Sequence, residues 1–513
     1  MDPNKFIKIT NSNEFEIKVS YPADENKKKT QYNISIYMFL PESLGIDEQT
    51  YSKQAFYSHY LGYIRLITPE YNVQTLSKRL SNLIEFFKTG MNEEEKFEYI
   101  NYEIKMIVCS YVNYLKDFTH NIEDNGVDAE KMRIFVEDIK KFDDLKIEIF
   151  TLSNASKQDN IKHLISFSAE YISLVTQNYL FLINLSLRKN ESLHRDTIGK
   201  IITVINDEIA FEKENKMPYI STDERMNEKV IFRHGIFKKY FYSILFLKQD
   251  SQKDAVKIRQ IYYALAAGIA MLFATSVVFY MQQKYGKFTA PFFAALVISY
   301  MFKDRIKDIF KNYFEQKLKI KAYDFRNKIY DMERQKLFGF IKERVQFIKK
   351  ETISEDIKNT RLLNTDNRIS TWFVNENILK YEKNITLINK NIKDAYGNSI
   401  KGITDIMRFD ITRFTRKMDE SKVPLYRVNQ NNIYGTKVYH LNVVVDFSSE
   451  DHKNIHKIRL ILTKKGIKRI EIPDGDIEIF PGNMKKRNKD WFPFKKDGSI
   501  KQVFDFKKEP QDG

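Results

Sequence analysis

Apolar positions recur along the chain with more than one period, and each period predicts a different element. Near the start, Phe15, Ile17, Val19 and Tyr21 alternate with polar residues, and Tyr32, Ile34, Ile36 and Met38 do so again after the polar stretch ADENKKKT. Alternation on both sides of a turn predicts a β-hairpin ending at Pro41. From Val73 the period lengthens. Val73, Leu76, Leu80, Leu83, Ile84 and Phe87 fall on one helical face, and further helices are expected at about 93–119, 128–150, 158–189 and 192–214. The segment Tyr171–Leu187 is apolar enough to compare with a membrane span. Gln177, Asn178 and Asn184 would each need a partner in lipid, so it is read as a buried central helix.

In the middle of the chain the periodicity disappears. Ile261–Met281 carries no formal charge and shows no polar face, and its 21 residues match a hydrocarbon core of roughly 30 Å at about 1.5 Å per residue. It predicts a membrane-spanning helix. Phe288–Phe302 is also uncharged but shorter, with Pro291 suited to the first turn of a helix and Lys287 and Lys303 at its ends. Two readings stand for it, a full return span or a re-entrant segment. The small residues Ala264, Gly268, Ala270, Ala274, Ala294 and Ala295 suit close helix packing.

Beyond Lys303 a helical stripe of Ile306, Ile309, Phe310, Tyr313, Phe314 and Leu318 runs beside Arg305, Lys307 and Lys311, and helix is expected to continue to about Lys350. A similar stripe, Ile236, Phe237, Tyr240, Phe241, Ile244 and Leu245, precedes the first span beside Lys238 and Lys239. The two stripes either meet anionic headgroups or pack on each other as a stalk. Towards the C-terminus alternation returns. Tyr439, Leu441, Val443, Val445 and Phe447 form one strand face, and KIRLILT and the stretch after Gly466 continue the pattern.

The expected organisation is an α+β membrane protein: a mainly helical cytoplasmic domain with an N-terminal β-hairpin at 1–255, a transmembrane helical hairpin at 259–303 and a basic amphipathic helical stalk at 304–352. A β-rich cytoplasmic domain at 360–480 and a loosely ordered tail at 481–513 complete it.

Charge sharpens the topology. The chain has 84 Lys and Arg against 68 Asp and Glu, for a formal net charge of +16. Its wealth of Lys, Asn, Ile, Phe and Tyr follows an AT-rich codon bias, so only clustering is informative. Basic residues gather on both flanks of 261–302, with only Lys284 and Lys287 between. The positive-inside rule then places both flanks in the cytoplasm at the inner membrane and the QQKYGK turn outside. Cys109 is the sole cysteine, which excludes an intramolecular disulfide and fits a reducing compartment. The N-terminus lacks the uninterrupted apolar core of a signal peptide.

Chemistry is sparse. Gly199-Lys200 and Gly286-Lys287 lack the remaining residues of a phosphate-binding loop, and no GxGxxG, GxSxG or HExxH occurs. His194-Arg195-Asp196 copies three letters of a kinase catalytic loop but has Ile201 where the metal-binding Asn belongs. His452 and His456 have the i, i+4 spacing of a helical metal site but lie between two expected strands. No cofactor is called for, and no nucleic-acid motif occurs.

Two sets of candidate contacts remain. Lys238, Lys239, Lys303, Arg305, Lys307 and Lys311 are candidates for the membrane surface and its anionic lipid headgroups. Arg408, Arg413 and Arg416 are candidates for a phosphate or other anion, the competing reading being surface pairs with Asp405, Asp410, Asp419 and Glu420. The expected role is a membrane-anchored interaction or scaffold module, whose partners are the bilayer, an unidentified protein or a second copy of the chain. The alternative is a membrane-associated enzyme or ligand sensor acting on an anionic lipid or phosphorylated substrate.

Overall fold

The computed structural model describes residues 7–479, apart from 25, 88–92, 126–127, 155–157, 189–190, 255, 287–288, 333, 364–374, 398, 428–429, 451 and 473–476. The expected tail at 481–513 and Lys287 lie outside the described residues. Helices and strands are both abundant, as an α+β fold requires. In chain order, β1 (Ile7–Asn11), β2 (Glu14–Pro22), β3 (Thr30–Pro41), the short helix α1 (Lys53–Ser58) and β4 (Tyr60–Leu66) come first. Six helices follow: α2 (Val73–Phe87), α3 (Glu93–Asn125), α4 (Ala129–Asn154), α5 (Asp159–Leu187), α6 (Glu191–Glu214) and α7 (Glu224–Tyr242). Then come β5 (Lys248–Lys253), the long helices α8 (Val256–Tyr285) and α9 (Ala290–Lys321), β6 (Phe325–Tyr330) and β7 (Leu337–Ile348). The remainder is α10 (Glu355–Leu362), β8 (Glu376–Leu387), α11 (Asn389–Tyr396), β9 (Gly402–Asp410), α12 (Thr412–Thr415), β10 (Lys422–Arg427), β11 (Gln430–Thr436), β12 (Tyr439–Ser449), β13 (Lys453–Thr463), β14 (Gly466–Ile472) and β15 (Ile477–Ile479).

The strands build two antiparallel sheets, a small one in the order β1-β2-β9-β4 and a large one in the order β15-β14-β13-β12-β3-β8-β7-β6-β5. Their apolar faces meet in one core, where Phe15 stacks on Phe409 with ring centroids 5.1 Å apart and Tyr60 lies 5.1 Å from Tyr381. The β10–β11 ribbon stands apart from both sheets.

The expected N-terminal hairpin does not form. β2 pairs with β1 and β9, whereas β3 runs between β8 and β12, so ADENKKKT is a crossover between sheets. The reason is visible in β3 itself. Ile34, Ile36 and Met38 face the sandwich core, while Tyr37 and Phe39 on the opposite face are buried against Ile353 and Ile357 beside α10. A strand covered on both faces belongs in the middle of a sheet. N-terminal β3 thereby joins strands from the C-terminal part of the chain.

The stalk also differs from expectation. Helix α9 stops at Lys321, and Phe325–Tyr330 and Leu337–Ile348 are strands rather than helix. Phe338, Ile341 and Val345 satisfy a three-to-four spacing, and the buried charge of Glu343 interrupts the alternation that would have betrayed β7. Helices α2–α7 form a bundle between β4 and β5, with α5 buried along most of its length.

Candidate membrane-interacting hairpin

Strands β5 and β6 are antiparallel neighbours at the edge of the large sheet, with Lys253 opposite Phe325. Helices α8 and α9 occupy the place of the turn that would join them. They are 30 and 32 residues long and run antiparallel against each other, projecting about 45 Å at 1.5 Å per residue. Small residues let them approach. Ala266, Ala270 and Ala274 of α8, each four residues from the next, are buried with Ala295 and Ser299 of α9, and the Ser299 hydroxyl donates to the Ala274 carbonyl at 3.0 Å. Of the small residues singled out in the sequence, Ala264, Gly268 and Ala294 face outwards instead.

The outer faces are apolar and uncovered. Leu272, Phe279, Phe293 and Met301 are 68%, 71%, 69% and 66% exposed, whereas the apolar residues of the bundle and sandwich are largely buried. Exposed aliphatic and aromatic surface on this scale is unusual for a free-standing surface in water. Among the described residues one helix, Ile258–Tyr285, is long and apolar enough to cross a membrane. α9 is not, because charges begin at Lys303 within the same helix.

The neck is tied firmly to the body. Asp324, just after α9, accepts from Lys53 at 2.6 Å, from Tyr57 at 3.2 Å and from the Val345 amide at 2.8 Å. Asp254, just after β5, accepts from the Tyr323 amide at 3.3 Å. These bonds fix the direction in which the hairpin leaves the sheet edge.

Lys303, Arg305, Lys307 and Lys311 line the body-proximal half of α9. Arg305 and Lys307 are exposed, the Lys303 ammonium caps the Tyr300 ring at 3.8 Å, and that of Lys311 lies 5.0 Å from the Tyr263 ring. Lys238 and Lys239 are elsewhere, on α7 of the bundle. The two helical stripes do not pack together: Phe237 and Phe241 are buried against Tyr171 of α5, and Phe314 stacks on Tyr262 of α8 at 5.0 Å.

The arginine set is dispersed in role. Arg408 donates to Glu16 at 3.0 Å, Arg413 lies 6.0 Å from the Tyr51 ring, and Arg416 is exposed. The acids expected to pair with them do otherwise: Asp419 binds Lys437, Glu420 binds Lys464 and Asp405 binds Lys383. His452 sits in a turn and His456 on β13, so their helical spacing is not realised. The described part of the His194-Arg195-Asp196 triplet lies on helix α6, where Asp196 pairs with Lys200 at 2.8 Å. Among the described residues no group of three or more His, Cys, Asp and Glu is arranged to hold a metal ion.

Two buried polar clusters escaped sequence reasoning. Between the sheets, Lys383 contacts Asp405 at 2.8 Å and lies 4.0 Å from Glu343, which accepts from Tyr381 at 2.9 Å and from Asn327 at 2.9 Å. Burial opposes the Lys383 charge, but Asp405, Tyr60 and Glu343 more than offset it, so the ammonium is held above its usual range. In the bundle, Lys146 contacts Glu208 at 2.6 Å and also pairs with Asp143, and Ser173 donates to Glu208 at 2.6 Å. Each cluster links neighbouring elements through directional contacts. The only sequence signal was a charge at a core-face position, such as Lys383 between Tyr381 and Ile385. Cys109 is fully buried, and burial pushes its thiol up to about 12, which leaves it unreactive.

No protein-family model matches the chain, and no curated protein or solved structure shows significant similarity to it.

Proposed function

We propose that the protein is a membrane-anchored interaction or scaffold module, held at the cytoplasmic face of the inner membrane by the α8–α9 hairpin, with bundle and sandwich on the same side. The observation that carries this is the hairpin's uncovered apolar surface, which projects from a body whose own apolar residues are largely buried. Charge supports it. Lys303, Arg305, Lys307 and Lys311 lie between the apolar end of the hairpin and the body, where each contributes on the order of 1 kcal/mol against an anionic leaflet. Buried Cys109 suits a reducing compartment.

The fold offers a direct test. Because Lys253 and Phe325 are paired and the Asp254 amide donates to the Asp324 carbonyl at 3.3 Å, residues 255–323 can be replaced by an Asn-Gly turn without altering the sheet. The intact chain is expected to float with membranes and resist high salt. The excised chain is expected in the soluble fraction with unchanged far-ultraviolet dichroism after allowance for the lost helices. Release of the intact chain by salt, or flotation of the excised one, overturns the proposal.

A further inference from the structure

The register between α8 and α9 limits how much of the hairpin fits in hydrocarbon. Ser299 bonds to Ala274, Lys311 lies over Tyr263, and Tyr262 stacks on Phe314. Lys303 follows Ser299 by one turn, so Lys303–Lys311 runs alongside Tyr263–Ala270. The first half of the apolar stretch Ile261–Met281 is therefore level with Lys303, Asp304, Arg305, Lys307, Asp308 and Lys311 on its partner helix. Only Met271–Met281 of α8 and Ala290–Phe302 of α9, short of the tip with Lys284, are uncharged at the same level. Along α9 that part is about 20 Å at 1.5 Å per residue, against a hydrocarbon core of roughly 30 Å.

Resting on the membrane reading above, we infer that the hairpin enters the bilayer tip-first and stops at the level of Lys303, so that α8 does not serve as a full-length span. Met271–Met281 and Ala290–Phe302 occupy the hydrocarbon, with Lys284 left at the polar tip. Ile261–Ala270 lies at headgroup level, where Ile261, Leu265 and Ile269 dip into the acyl boundary while the cations beside them meet phosphates. The five cations of 303–317 outnumber the three acids Asp304, Asp308 and Glu315, and Glu315 is engaged by Tyr263. The occupant is thus an anionic lipid surface rather than a neutral apolar groove. Full immersion of α8 would drag Lys303–Lys311 into the core, where ions are strongly disfavoured. The polar tip at Gln282–Tyr285 reaches the far headgroups only where the bilayer thins by about 10 Å.

The test uses the full chain in a Cys109→Ser background with single cysteines from Leu265→Cys or Phe279→Cys, each carrying an environment-sensitive fluorophore. The protein is reconstituted into phosphatidylcholine–phosphatidylglycerol vesicles bearing nitroxides either at the headgroup or deep in the acyl chain. Deep-to-shallow quenching is expected to be several-fold higher at 279 than at 265. Arg305→Leu with Lys307→Leu, both at exposed positions, is expected to raise the ratio at 265 by letting the hairpin slide inwards. Equal deep quenching at 265 and 279 in the otherwise unaltered chain overturns the inference while leaving the membrane anchor intact. Absence of lipid quenching at both positions overturns the anchor itself, and cross-linking between copies at 279 without lipid quenching assigns the apolar face to a second copy.

Discussion

Glu212 offers a sharp quantitative test of the helical bundle. It lies on α6, fully buried, one turn beyond Glu208, which already shares Lys146 with Asp143. Neither Glu212 carboxyl oxygen makes a well-formed hydrogen bond. Burial pushes this carboxyl from 4.5 up to about 8; Gln177 nearby pulls it down, and the Glu208 charge adds to the rise. The sign follows from proton linkage. Between pH 4.5 and about 8 the folded chain holds a proton that the unfolded chain has lost, so this group's stabilisation is complete below 4.5 and disappears as pH rises through that window. At 1.36 kcal/mol per pKa unit the loss is roughly 5 kcal/mol, comparable with the whole stability of a modest domain. Glu212→Gln keeps the shape and removes the titration. Its folding stability is expected to match that of the unaltered chain near pH 4.5 and exceed it above pH 8 by up to roughly 5 kcal/mol. The measurement is thermal unfolding in detergent together with hydrogen exchange of α6 peptides, from about pH 5 to about pH 9. Parallel pH profiles for the two proteins would refute the assignment, as would a destabilised Gln variant at alkaline pH.

Three further outcomes follow from particular contacts. Lys383→Met leaves Asp405 buried without its cation and is expected to cost about 3–5 kcal/mol by urea unfolding, with Asp405→Leu in the same chain recovering much of the loss. Gly466 has φ +116°, and an added Cβ would sit 2.1 Å from the Ser12 carbonyl oxygen, which accepts from the Ile467 amide at 2.6 Å. Gly466→Ala is therefore expected to lower the unfolding midpoint by an amount equivalent to about 2 kcal/mol or more. Gly268 lies within α8 with nothing near its Cβ position, so Gly268→Ala should leave membrane association intact and raise helix stability by up to about 1 kcal/mol in peptide helicity measurements.

The helical bundle was legible because its periodicities were long and each helix buries one dominant face. Val73, Leu76, Leu80, Leu83 and Ile84 behave as read, and Tyr171–Leu187 lies in a buried helix, with Gln177 donating to Ser173 at 3.4 Å and Asn178 to the Leu174 carbonyl at 2.6 Å. Strand identity was legible too, but strand partners were not. Alternation in β2 and β3 says only that each has a core face; whether a turn joins them depends on which distant strands complete the sheet, and β8, β9 and β12 lie hundreds of residues away. β7 was misread because Glu343 occupies a core-facing position, satisfied by Tyr381 and Asn327 from neighbouring strands. The buried clusters resisted for the same reason, since a charge at a core position shows its partner only once the chain is folded.

For the hairpin the limit lay in register. Composition along one helix makes Ile261–Met281 a span, yet a bilayer would meet two helices at each depth, and the charges of α9 level with Tyr263–Ala270 belong to residues 33 to 48 positions later. Hydropathy read along a single segment overstates the apolar length of a helical hairpin whenever its halves are unequal. The usable length is that of the shorter apolar half, here Ala290–Phe302. The insertion at the β5–β6 edge gives this asymmetry a structural role: both helices must return to adjacent strands, so the excess apolar length of α8 stays opposite the basic half of α9, next to the body. A surface apolar on one helix and cationic on the other is suited to lie at a headgroup boundary, and under the proposed anchoring it would bring the sheet edge to the membrane without requiring the body to touch hydrocarbon.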